Sequence, residues 1–120
     1  MGLYVGSTVI NVADIGRATA FWTAALGYVV RDGDETFAVL TDPSRRWSNV
    51  SLQLSDEPKQ GRNRVHLDLY TTDRAGEVAR LEKLGATQIP WEYAPGHDHI
   101  VMTDPDGNEF CVIQSPYLQD

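Results

Sequence analysis

The two halves of this sequence repeat one another, so the chain must fold as two copies of one structural unit. Ser7-Thr8-Val9-Ile10-Asn11-Val12-Ala13-Asp14 opens a run that closes at Leu26-Gly27. His66-Leu67-Asp68-Leu69-Tyr70-Thr71-Thr72-Asp73 opens a second, which closes at Leu84-Gly85. Each half then reaches the same tripeptide, Thr41-Asp42-Pro43 and Thr103-Asp104-Pro105. An internal repeat fixes which positions are equivalent. Here it pairs Ser7 with His66, each seven residues before an aspartate.

Within each half the local signals follow one order. Ser7 to Val12 is rich in β-branched residues and reads as a strand. Asp14 then caps a helix in which Ile15, Ala18, Phe21, Trp22, Ala25 and Leu26 share one face, and Gly27 supplies the left-handed stop. Tyr28 to Arg31, Thr36 to Leu40 and Val50 to Leu54 read as three further strands, with Asp32-Gly33-Asp34 as the first turn. Ser55 to Asn63, with Pro58 and Gly61, is a polar linker. The second half gives a strand over Val65 to Thr71 and a helix capped by Asp73, striped with Val78, Leu81 and Leu84 and stopped by Gly85. Strands over Ala86 to Trp91, His99 to Thr103 and Glu109 to Ile113 complete it. The turn Asp104-Pro105-Asp106-Gly107-Asn108 precedes the last strand, Pro presetting one dihedral and Gly supplying a positive φ. The expected fold class is α+β, with two βαβββ modules, about 5–55 and about 64–115. Together they are expected to form one domain over residues 1–120, a curved mixed sheet enclosing a cup with helices on its outer face.

Size and charge narrow the function classes. A chain of 120 residues buries roughly two-thirds of its unfolded surface, so it needs no disulfide or metal to fold. The single cysteine, Cys111, excludes an intramolecular disulfide and a multi-cysteine metal site. A net charge of −7 argues against nucleic acid as a partner. No apolar run reaches the ~20 residues that span a bilayer, and the N-terminus has no signal-peptide pattern. The expectation is a cytoplasmic protein without membrane or nucleic-acid partners.

Strand alternation sorts the side chains by face. Thr8, Ile10 and Val12 fall on one side of the first strand, with Ser7, Val9 and Asn11 on the other. Val50, Leu52 and Leu54 alternate with Ser51 and Gln53. Val65, Leu67 and Leu69 alternate with His66, Asp68 and Tyr70, and Phe110 and Val112 alternate with Glu109, Cys111 and Ile113. The apolar series is expected under the helices. The other series is largely polar and comes from four strands, which suits either a wet sheet face or the lining of a ligand cavity.

Phe21-Trp22 with Leu26-Gly27, Val65-His66-Leu67-Asp68-Leu69, Leu81-Glu82-Lys83-Leu84-Gly85 and Asp104-Pro105-Asp106-Gly107-Asn108-Glu109-Phe110 together resemble the vicinal oxygen chelate superfamily. That superfamily holds the glyoxalases, bleomycin-resistance proteins and extradiol dioxygenases, and this chain resembles its short glyoxalase-like members. The resemblance implies a cup that takes a small organic molecule, a homodimer, and a divalent metal held by His, Gln or Glu from the first and last strands of each module. Carried onto this sequence, those positions fall on Ser7, Gln53, His66 and Cys111. His66 and Gln53 are acceptable ligands and Cys111 a soft one, but Ser7 is poor and the carboxylate is missing. The family metal site therefore reads as degraded, and the first expectation is a binding protein that needs no cofactor. The alternative is an enzyme. Its chemistry would be lyase, isomerase or dioxygenase reactions on zinc, nickel, manganese or iron held by His66, Gln53 and Cys111, or metal-free proton transfer by His66 with Asp68 as its charge partner. The expected ligand-binding set is Ser7, Asn11, Gln53, His66, Asp68 and Cys111, with Trp47 and Trp91 as loop aromatics able to clamp a planar ligand. Cys111 also reads as a small buried hydrophobe, His97 and His99 as loop or rim residues, and Glu109 as an edge or rim residue.

Overall fold

The computed structural model describes residues 2, 5–63 and 65–115. They form two compact units that divide between Pro58 and Lys59, inside the polar linker. Each unit is a four-stranded mixed sheet with one helix, and the order of elements repeats as expected.

Module one runs β1 (Ser7–Val12), α1 (Ile15–Leu26), β2 (Val29–Gly33), β3 (Phe37–Thr41) and β4 (Asn49–Leu54). The sheet order is β1-β4-β3-β2. The β1–β4 pair is parallel and the others antiparallel. The Asp14 side chain accepts the Arg17 amide at the start of α1, and Gly27 ends the helix with φ of 70°. Ala18, Phe21 and Trp22 are buried from α1, together with Val12, Ala38, Leu40, Val50 and Leu52 from the strands. The register sets Ala38 beside Leu52 and Leu40 beside Val50, so these residues share the face on which α1 packs. Phe21 and Trp22 meet edge to face, 5.0 Å between ring centres.

Module two runs β5 (Leu67–Thr71), α2 (Arg74–Leu84), β6 (Thr87–Gln88), β7 (His99–Thr103) and β8 (Glu109–Gln114). Its order, β5-β8-β7-β6, repeats that of module one, again with one parallel pair, β5–β8. Asp73 caps α2 by accepting the Gly76 amide, and Gly85 ends it with φ of 117°. Val78 and Leu81 from α2 are buried with Met102, Phe110 and Val112.

Several boundaries differ from the sequence reading, each for a local reason. β2 runs on to Gly33 because a bulge between Val30 and Asp32 shifts the register. The turn then moves to Asp34, whose carboxylate accepts the Thr36 amide and hydroxyl and the Phe37 amide. β5 starts at Leu67 rather than Val65, because its partner β8 begins at Glu109 and pairs Phe110 with Leu67. β6 is cut to two residues. Pro90 has no amide to donate there, and the Val101 amide donates instead to the Tyr93 hydroxyl at 2.8 Å. Leu54, expected under the helix, ends its strand 44% exposed.

Candidate functional site

The parallel β5–β8 pair brings the chemistry of module two together. Its register sets Asp68 directly beside Cys111. His66 lies two residues before Asp68 and so on the same side of the chain. The outcome is an imidazole Nε2 3.1 Å from the Asp68 Oδ1. One donor atom from each of His66, Asp68 and Cys111 lies within 4.8 Å of the others. His66 and Asp68 are exposed, and Cys111 is half-buried beneath them.

The Cys111 thiol is held above its ordinary pKa, first by burial and then by the negative charges of Asp68 and Glu109, which outweigh Arg62. An unligated Cys111 is therefore a protonated thiol at neutral pH and a poor nucleophile.

Glu109 faces the same side as Cys111, two residues along β8, and it is not a rim residue: it is only 7% exposed. Burial raises its pKa, but the hydrogen bonds from the Arg62 guanidinium and the Asn63 amide, with the charges of Lys59 and Arg62, overcome this and leave it below the ordinary value. Arg62 Nε donates to its Oε1 at 2.8 Å and the Asn63 amide donates to the same oxygen at 3.0 Å. The guanidinium carbon of Arg62 also sits 4.2 Å from the centre of the Trp91 ring. A buried carboxylate thus fixes an arginine against an aromatic face, a favourable cation–π arrangement. Strand alternation placed Glu109 beside Cys111 on one face. Nothing in the linker marked Arg62 as its partner.

The equivalent face of module one carries no such ionisable cluster among the described residues. Ser7 and Ser51 share a hydrogen bond of 2.6 Å between hydroxyls. The register pairs Val9 with Ser51, and Asn11 with Gln53, which is also beside Phe37. Since Ser7 corresponds to His66, Val9 corresponds to Asp68. Ser51, rather than Gln53, therefore occupies the place of Cys111. Gln53 lies one strand step pair further on, beside Asn11.

The remaining aromatic and imidazole residues divide. Trp91 joins the module-two site through Arg62. Trp47 is 60% exposed in the loop before β4, its ring 5.6 Å from the Arg46 guanidinium. His97 stacks on Tyr93 with ring centres 4.3 Å apart, and His99, inside β7, meets Tyr93 edge-on at 5.2 Å. They brace the segment that replaces the rest of β6.

A divalent metal, which the resemblance implies, is tested by this donor set. The equivalent module-one positions carry the hydroxyls of Ser7 and Ser51, bonded to each other. Module two offers nitrogen, oxygen and sulfur donors close together. That set fits a borderline ion such as zinc, and does not fit a hard ion that prefers oxygen ligands. Bound there, such an ion would supply a Lewis acid or an activated water.

A family model described as the glyoxalase-like domain matches residues 7–113. No curated protein matches the sequence. Among solved structures, the chain is similar to a glyoxalase/bleomycin resistance protein/dioxygenase family enzyme from Burkholderia phytofirmans (18% identity, TM-score 0.73, covering 89% of this chain and 94% of that one). It is similar to a fosfomycin resistance protein from Listeria monocytogenes, solved as a mutant with Mn(II) and 1S,2S-dihydroxypropylphosphonic acid (15%, 0.75, 98% and 93%). It is similar also to the bleomycin-binding protein of Streptomyces verticillus, solved with copper(II)-bleomycin (15%, 0.64, 96% and 98%). At these identities the likeness is one of fold. With the repeated βαβββ module and the model match over nearly its whole length, this chain belongs to the glyoxalase-like domain family of the vicinal oxygen chelate superfamily.

Proposed function

We propose that this protein binds a small organic molecule on the polar face of its module-two sheet, which carries the ionisable groups. The observation that carries this reading is the convergence of His66, Asp68 and Cys111 on one face, beside an arginine fixed against Trp91. The equivalent face of module one, with Ser7, Val9, Asn11, Gln53 and Phe37, is by itself a mixed neutral polar and apolar surface. Ligand sites combine just such apolar surface with a few placed polar groups. The solved relatives whose printed ligands are bleomycin and a phosphonic acid lend the same support from the side of the family. The protein acts in the cytoplasm as a homodimer, as the family resemblance implies.

The test is a screen of aromatic and cationic small molecules by calorimetry, followed by variants. His66→Ala and Asp68→Asn are expected to weaken a hit by about 1–3 kcal/mol, roughly 5- to 150-fold, because each leaves its partner unpaired. Hits whose affinity neither variant changes would remove the assignment of the site. A dimer is expected in sedimentation, and a monomer would contradict the assembly without touching the site.

The 3.1 Å contact between His66 and Asp68 favours a second reading, an enzyme in which His66 moves a proton with Asp68 holding its ring. On that reading His66→Ala abolishes turnover of an identified substrate while binding survives. Full turnover in His66→Ala would dismiss it.

A further inference from the structure

We infer that Arg62 anchors a carboxylate of the ligand, so that the molecule bound on the module-two face is a small aromatic acid lying against Trp91. The inference rests on the small-molecule reading of that face and adds the charge class of the ligand.

The linker delivers Arg62 to the sheet in one orientation. Its Nε donates to Glu109 Oε1 at 2.8 Å, and its guanidinium carbon lies 4.2 Å from the centre of the Trp91 ring. Glu109 is itself buried and held by the Asn63 amide at 3.0 Å. The carboxylate thus fixes one edge of the guanidinium and the indole lies under it. Among the described residues its Nη groups have no hydrogen-bond partner, and the side chain is 59% exposed. Held this way, the outer N–H donors form a fork that matches a carboxylate. An arginine normally loses side-chain freedom when it captures a ligand, and here folding has already ordered it.

Local charge favours an anion at this point, although the chain carries −7 overall. The Glu109 carboxylate faces the charges of two cations, Arg62 and Lys59, and can neutralise only one. Lys59 turns back to donate to the Gly61 carbonyl. Asp68, the other carboxylate of this face, is paired with His66 at 3.1 Å. An incoming carboxylate therefore meets the remaining positive charge at Arg62, and a flat ring beside it meets Trp91, which is 37% exposed. Arg46 in module one shows the contrast. It lies 5.6 Å from the Trp47 ring, and its Nε reaches only the Ser44 hydroxyl, at 3.4 Å.

The experiment titrates the full-length protein with benzoate, phenylacetate and indole-3-acetate, each against its primary amide. Backbone amides and the Arg62 and Trp91 side-chain N–H signals are followed by NMR. The acids are expected to bind about tenfold or more tighter than their amides, with the Arg62 and Trp91 signals shifting as they saturate. Arg62→Gln is expected to erase the difference between acid and amide. Arg62→Lys keeps the charge beside Glu109 but loses the fork, and is expected to retain only part of it. Arg46→Gln is expected to leave it unchanged. The Arg62 signals of the parent protein carry the test even if Arg62→Gln does not fold. Acids that bind no better than amides, acids that leave Arg62 silent, or an equal loss in Arg46→Gln would overturn the inference. Amides that shift His66 and Asp68 as strongly as the acids do would overturn it while leaving the small-molecule reading intact. A face silent to acids, amides and the wider screen would remove both.

Discussion

At the scale of single residues, the repeated Thr-Asp-Pro tripeptides do structural work of one kind. Asp42 accepts the Ser44 amide and hydroxyl on one oxygen and the Arg46 and Trp47 amides on the other. Asp104 accepts the Asp106 and Asn108 amides and the Asn108 side chain. Each carboxylate organises the loop that leads to the last strand of its module. Asp104→Ala leaves those donors without their acceptor in a buried setting, and is expected to cost about 1–3 kcal/mol in chemical denaturation. Asp42 has its pKa lowered from 3.8, first by the Ser44 hydroxyl and then by the backbone amides. A carboxyl whose folded pKa is depressed contributes stability above its unfolded value and loses that contribution as pH falls through the folded one. The loss therefore falls below about pH 4, and Asp42→Asn is expected to flatten the fall in stability there. An unchanged acid profile in Asp42→Asn would contradict this account of the loop. Asp104 was legible as a turn residue from Asp104-Pro105-Asp106-Gly107-Asn108, and Asp42 only as its counterpart in the repeated tripeptide. Their bonding to amides four and five residues on was not, since the sequence alone does not say how a loop folds back.

Among the elements, both helices and their caps follow directly from the sequence. Asp14 and Asp73 open them, and Gly27 and Gly85 close them in the left-handed region. Only glycine adopts that backbone without a steric cost, so Gly27→Ala is expected to lower stability by about 1 kcal/mol in urea unfolding. The strands were legible where β-branched residues alternate and a partner strand has the same length. They were misjudged where pairing is set from outside the segment. β6 stops at Gln88 because Val101 turns to a side-chain hydroxyl, and Tyr93→Phe, which removes that acceptor, is expected to cost about 1 kcal/mol. Amide exchange of Val101 is the direct check, with faster exchange in Tyr93→Phe expected. Protection equal to that of the parent would mean that the Tyr93 hydroxyl is dispensable to the ladder.

For the molecule as a whole, the repeat predicted two βαβββ modules, and two four-stranded sheets of matching order were found. His66, Asp68 and Cys111 were named from strand alternation and family resemblance, and their meeting on one face follows from the parallel register. Gln53 as the counterpart of Cys111 did not follow. The extra residues between Pro43 and β4 hide the register, which gives that place to Ser51. Glu109 was expected at the rim and is buried, because its partner Arg62 comes from the linker, where alternation has nothing to say. The two modules thus share a backbone plan while their open faces differ in kind, one neutral and one ionisable. The central claim is that the ionisable face of module two is where this protein meets its ligand. The most direct measurement is to map backbone amide shifts while a mixed set of aromatic and cationic small molecules is added. The account predicts shifts clustered on β5 and β8 around His66, Asp68 and Cys111, extending to Trp91. Saturable shifts confined to other strands, with these residues silent, would contradict it.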